Sequence, residues 1–207
     1  MPMKTTSLAF FFLAFAFALT TALGRSIAGA GDVEPVLDTD GNPVINGGLY
    51  RILPAPPANG GGFIPLTLDG ETCPISVVQA SPGLGFTMFI QVASNKLVDY
   101  VYPTDSVDII FSGRPVCTDS AKWILKFFSP VPAVFIGEED DRTVAGHFGF
   151  EKYEDAYKLV FFPERLPGIT WSLGISPFGN NRLVANEENP IKIVLQSFNR
   201  GKSASTI

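Results

Sequence analysis

The 207-residue sequence reads as an all-β domain, either a barrel or a sandwich, and three observations carry that reading. Short runs rich in Val, Ile, Phe and Tyr recur along it, each bounded by Gly, Pro, Asn or Asp. Several runs alternate apolar with polar residues, as a strand with one wet face does. No window sustains a helical stripe with both a cap and a stop. Composition agrees: 46% hydrophobic and 17% charged residues, with 20 Gly and 17 Pro, describe one packed core with many turns rather than a disordered chain.

The first segment stands apart. Lys4 precedes an unbroken apolar run from Leu8 to Leu19, and small residues follow at Ala22-Leu23-Gly24 and Ala28-Gly29-Ala30. Twelve apolar residues are too few to span a bilayer. The pattern is that of a secretory signal peptide over 1–24, with cleavage as late as 30 as the alternative. A buried first helix is the plainer reading, but the five Phe at 10, 11, 12, 15 and 17 would face all sides of it. Secretion, to the extracellular space or a vacuole, is the expectation, with 31–200 as a single domain and the small polar residues 201–207 as a frayed tail.

Strands are expected, in order, at Leu49–Leu53, Ile75–Gln79, Val107–Phe111, Trp123–Phe127, Ala145–Phe150, Tyr157–Phe162, Trp171–Ile175 and Ile191–Gln196. Asp-Gly at 40–41 and 69–70, Gly-Gly at 47–48 and the Gly60–Gly62 run mark turns between them. Secretion places Cys73 and Cys117 in an oxidising compartment, where one disulfide is the default and two buried thiols the alternative. Closing that loop would restrict the unfolded chain by about 4 kcal/mol.

Several chemistries are excluded by what the chain lacks. The formal charge of −5 offers nucleic acid no basic footprint. A single histidine, His147, and no Cys-x-x-Cys spacing argue against a metal site. A Ser-His-Asp hydrolase would have to use His147, which sits in a strand, and no Gly-x-Ser-x-Gly elbow supplies a nucleophile. The acidic run Glu138–Asp141 lacks the ligand spacing of a calcium loop and reads as a solvated turn. No catalytic residue, metal or cofactor is expected.

One stretch carries more. Val36-Leu37-Asp38-Thr39-Asp40-Gly41-Asn42-Pro43-Val44, followed by Asn46-Gly47-Gly48 and Tyr50-Arg51-Ile52, resembles the signature of the plant Kunitz (soybean trypsin inhibitor) family. Cys73-Pro74 with Val77-Val78-Gln79, Tyr157–Phe161 and Arg182-Leu183-Val184 resemble later family segments in family order. The resemblance implies a β-trefoil: a six-stranded barrel capped by hairpins, in three pseudo-repeats. It implies that Cys73 and Cys117 form the first family disulfide. The cysteines of the second are absent after Phe162, which leaves 163–170 unstapled.

The resemblance also implies a function, inhibition of serine endopeptidases by an exposed substrate-like loop, here between Phe86 and Val107. Within it Asn95, Lys96, Leu97 and Tyr100 are the candidate reactive residues, with Lys96-Leu97 expected as the reactive bond and a trypsin-like protease as partner. Tyr100 offers a chymotrypsin-like alternative. Asn46 matches the family asparagine whose side chain holds the loop rigid; its plain alternative is a turn residue. An inhibitor of another hydrolase, or a storage or miraculin-like protein of the same fold, is the runner-up. A monomer without membrane contact is expected.

Overall fold

Six strands close on themselves. In the computed structural model β1 (Gly48–Pro54) pairs with β4 (Met88–Val92), β4 with β5 (Val107–Phe111), β5 with β9 (Gly146–Tyr153), β9 with β10 (Ala156–Pro163), and β10 with β13 (Lys192–Ser197), which returns to β1; every pairing is antiparallel. The structure describes residues 33–198 except 57, 69, 72, 74, 95, 96, 114–117 and 129. The expected signal segment, the 201–207 tail, Asn95, Lys96 and Cys117 therefore lie outside the described residues.

Three hairpins cap one end of this barrel: β2 (Phe63–Leu66) with β3 (Ser76–Gln79), β6 (Trp123–Lys126) with β7 (Ala133–Ile136), and β11 (Trp171–Ile175) with β12 (Leu183–Ala185). β7 pairs with both β3 and β12, and a bridge from Val78 to Arg182 completes the triangle. A two-residue strand, β8 (Thr143–Val144), is added beside β6. Units β1–β4, β5–β9 and β10–β13 thus each supply two barrel strands and one hairpin, the β-trefoil arrangement that the sequence resemblance implies.

Alternation builds the barrel. β4 buries Met88, Ile90 and Val92 and β5 buries Val107, Ile109 and Phe111, their intervening residues turning outward. The hairpins enter on aromatic residues, Phe63, Trp123 and Trp171, one at the head of β2, β6 and β11. Edge-on ring contacts run from Phe63 to Trp123, on to Phe148 and then Phe161, which stacks on Trp171 and ties cap to barrel. β9 departs from the expected alternation because Phe148, Gly149 and Phe150 are all buried. A Cβ on Gly149 would collide with the Phe162 ring, so the missing side chain is what lets that ring pack.

Cys73 is disulfide-bonded. In 163–170 main-chain hydrogen bonds close the turns, Leu166 N–H to Pro163 and Ile169 N–H to Leu166, while Glu164 N–H reaches Ala145. The acidic run is an exposed turn, as expected, and its Asp140 is paired within it. Asp140 pairs with Lys126 at 2.9 Å and Arg142 at 3.0 Å, and its other oxygen accepts the Arg142 N–H.

Candidate functional site

The signature stretch folds as a platform. Asp38 Oδ1 accepts the N–H groups of Asp40 and Asn42, which turns the chain so that Leu37 pairs with Pro43. Val36 and Val44 on the two arms are fully buried, and Val36 N–H bonds to Val101, whose N–H bonds to Val44. The next turn is shaped by Tyr50. Its hydroxyl accepts the Ile45 N–H at 2.8 Å, and its ring covers Gly48, where a Cβ would come within 2.7 Å. Burial pushes the Tyr50 hydroxyl pKa upward. The left-handed position falls on Gly47, with φ 75°. Asn46 has no such backbone role.

What Asn46 does is hold a loop. Its side-chain Oδ1 accepts the Val92 N–H at 2.8 Å and its Nδ2 donates to the Val98 carbonyl at 3.0 Å. Its main-chain N–H bonds to the Asp99 carbonyl at 2.9 Å. Val92 ends β4 and Val98 begins the return, so one amide braces both legs of the excursion between them, using its donor and its acceptor together. Ala93 N–H still reaches Ser106, and Ile45 and Tyr100 form an antiparallel bridge. The expected loop from Phe86 is therefore shorter in fact: β4 occupies Met88–Val92, and the span left between the two residues that Asn46 clamps, Val92 and Val98, holds the described residues Ala93, Ser94 and Leu97.

Leu97 closes that span with a relative exposure of 105%, the highest of the large apolar side chains among the described residues. Val98 is partly buried and packs against the core. Tyr100 is exposed but its backbone is committed to the bridge with Ile45. Of the four expected reactive residues the structure places Leu97 exposed beside the clamped Val98 and Tyr100 at the base of the loop; Asn95 and Lys96 lie outside the described residues.

Two further polar clusters lie away from this loop. His147 Nδ1 is 3.1 Å from Asp108, which also pairs with Lys122, and Glu164 flanks its other nitrogen at 3.7 Å. At the capped end Arg182 pairs with Glu71 at 2.7 Å, its guanidinium 4.2 Å from the Phe128 ring centroid, and the Ser76 hydroxyl and the Leu68 N–H donate to the same carboxylate. Sequence reading missed this pair, since Glu71 and Arg182 lie on different hairpins and carry no local pattern. No group of three or more metal-ligating side chains occurs among the described residues.

Fold and site define a class: a β-trefoil that presents one short loop, clamped at both legs by a side-chain amide. The chain belongs to the legume-type Kunitz family of trypsin and protease inhibitors, whose profile matches residues 36–197. It is 32% identical over 205 residues to Kunitz-type trypsin inhibitor-like 2 protein of Pisum sativum, covering 88% of each chain. Against trypsin inhibitor DE-3 of Erythrina variegata it is 32% identical over 167 residues, 78% of this chain and 96% of that one. Soybean trypsin inhibitor in its tetragonal complex with porcine pancreatic trypsin superposes with a TM-score of 0.70 at 29% identity, covering 80% of this chain and all of that one.

Proposed function

We propose that this protein is a secreted inhibitor of serine endopeptidases that acts by offering the 93–99 loop as a tightly held substrate. The observation that carries the reading is the Asn46 clamp on Val92 and Val98. A loop already fixed in its bound shape loses little conformational freedom on docking, so contact energy appears as affinity. After the enzyme opens the bond, both ends remain anchored: Val92 by β4 and Val98 and Asp99 by Asn46. The amine stays beside the acyl-enzyme and re-forms the peptide faster than water removes the acyl group. The named activity of the relatives, trypsin inhibition, and the soybean complex with trypsin support the partner class.

In this reading the N-terminal segment is the secretion signal and Cys73 pairs with Cys117, which ties the segment before β3 to the segment before β6. The test uses protein purified from a secreting eukaryotic host. Its N-terminus is sequenced, and trypsin, chymotrypsin and subtilisin are titrated with it. A start at residue 25 or 31 with one-to-one inhibition of at least one enzyme is expected. A folded, secreted protein that inhibits none of the three overturns the inhibitor reading.

A further inference from the structure

We infer that Leu97 is the residue that enters the primary pocket of the target, and that the target is therefore an endopeptidase with an apolar, uncharged primary pocket. The inference rests on the inhibitor reading above and selects the partner within it.

Three requirements on a scissile bond decide the position. The side chain before it must be free to leave the inhibitor surface and fill a pocket. The residue after it must be held, because its amine has to stay in place for the bond to re-form. The backbone across it must be free of internal ladder bonds, so that the enzyme can pair with it. Leu97-Val98 meets all three. Leu97 is fully exposed and no hydrogen bond among the described residues reaches it. Val98 is packed against the core and its carbonyl is bonded to Asn46 Nδ2, with Asp99 bonded to the Asn46 N–H next to it.

The other candidates meet fewer. Cleavage at Lys96-Leu97 would release the amine of Leu97, a residue that nothing among the described residues anchors. Tyr100 is only 41% exposed and its backbone is bridged to Ile45. The surroundings agree with an apolar partner. Ile45 is 56% exposed, and directly opposed residues of an antiparallel pair turn their side chains to the same face, so Ile45 and Tyr100 form one apolar rim at the loop base.

The chemistry balances within the complex. The enzyme's serine oxygen attacks the Leu97 carbonyl carbon, the Leu97-Val98 C–N bond breaks, and the serine proton passes through the enzyme's histidine to the Val98 nitrogen. In reverse, that amine attacks the Leu97 acyl-enzyme and the proton returns to the serine oxygen. Slow escape to water gives a nicked inhibitor whose new N-terminus is Val98.

The experiment pairs two readouts on the secreted protein: inhibition of chymotrypsin and trypsin by wild type, Leu97→Ala, Leu97→Arg and Lys96→Ala, and the N-terminal sequence of inhibitor nicked by catalytic enzyme. One-to-one inhibition of chymotrypsin is expected, weakened roughly ten- to hundredfold by Leu97→Ala, as loss of a buried Leu side chain implies. Leu97→Arg is expected to gain inhibition of trypsin, Lys96→Ala to weaken chymotrypsin inhibition less than Leu97→Ala does, and the new N-terminus to be Val98. Trypsin inhibition by the wild type that Lys96→Ala removes, with a new N-terminus at Leu97, overturns the assignment and leaves the inhibitor reading standing. Chymotrypsin inhibition indifferent to Leu97→Ala overturns it too. No inhibition by any folded variant removes the inhibitor reading and this inference with it.

Discussion

Asn46→Ala isolates the clamp. Asn46 is not in a left-handed conformation, which falls on Gly47, so alanine at 46 carries no backbone strain. The substitution removes the 2.8 Å bond from Val92 N–H and the 3.0 Å bond to the Val98 carbonyl, and spares the main-chain bond to Asp99. Each lost bond is worth about 1 kcal/mol net, so roughly 2 kcal/mol in all. Val92 is 7% exposed, and its N–H would need water from the opened loop to avoid a further penalty of about 1–3 kcal/mol.

Where that energy appears is the point of the experiment. If the amide serves the loop, about 2 kcal/mol of preorganisation is lost on docking, and the inhibition constant rises roughly 30-fold. The loop should also turn over faster as a substrate, because Val98 is no longer held against the acyl-enzyme. If the amide serves only the fold, the same energy appears as a melting temperature lower by about 4–8 °C, the inhibition constant unmoved. The assay is a tight-binding titration against the enzyme the wild type inhibits best, beside a thermal melt of each protein. An inhibition constant within twofold of wild type, with the full fall in melting temperature, would refute the clamp as a functional device.

Two stability predictions concern groups outside the loop. Arg182 is 3% exposed, and burial lowers its pKa while the Glu71 carboxylate opposes that shift; Arg182→Ala would strand a largely buried Glu71, and urea unfolding should show a loss of about 3–5 kcal/mol. Replacing both partners with Met should recover much of that loss, and a double variant no better than the single one would contradict the account. Hydrogen bonds from Lys126 and Arg142 hold the Asp140 carboxyl far below the ordinary range. A depressed folded pKa adds stability above the unfolded value of about 4 and surrenders it as the pH falls towards the folded one. Asp140→Asn should therefore lower the melting temperature by a few degrees at most at neutral pH, and the gap should narrow below about pH 4. A gap constant from pH 7 to pH 2 would show that the carboxylate charge is not what matters.

The barrel was legible because its strands carry their own patterns. The expected Val107–Phe111 strand is β5 to the residue, and the Tyr157–Phe162 run lies inside β10. The caps were harder. β7 (Ala133–Ile136) is buried at every position and so has no alternation, while β12 has three residues, too few for any period to show. β2 includes Pro65, which reads as a break and is tolerated beside its single partner β3. β4 falls inside the expected loop although its Met88–Val92 alternation is regular, because the sequence resemblance puts the loop start at Phe86.

The site divides along the same line. Asn46 could be singled out from a local motif, since the turn it occupies is built by neighbours within a few positions: Gly47, Gly48 and Tyr50. Its partners could not, because Val92 and Val98 are 46 and 52 positions away and are brought to it by closure of the barrel. The same limit explains the choice between Lys96 and Leu97. The expectation of Lys96-Leu97 rests on counting residues back from the Val107–Phe111 strand, which measures only chain length, and a loop without repeating hydrogen bonds has no register by which a one-residue error would show itself. A clamp supplies that register. Once the Val98 carbonyl is fixed by Asn46, the residue before it is the last one free to leave the surface, and a basic residue one position earlier no longer decides which protease the loop fits.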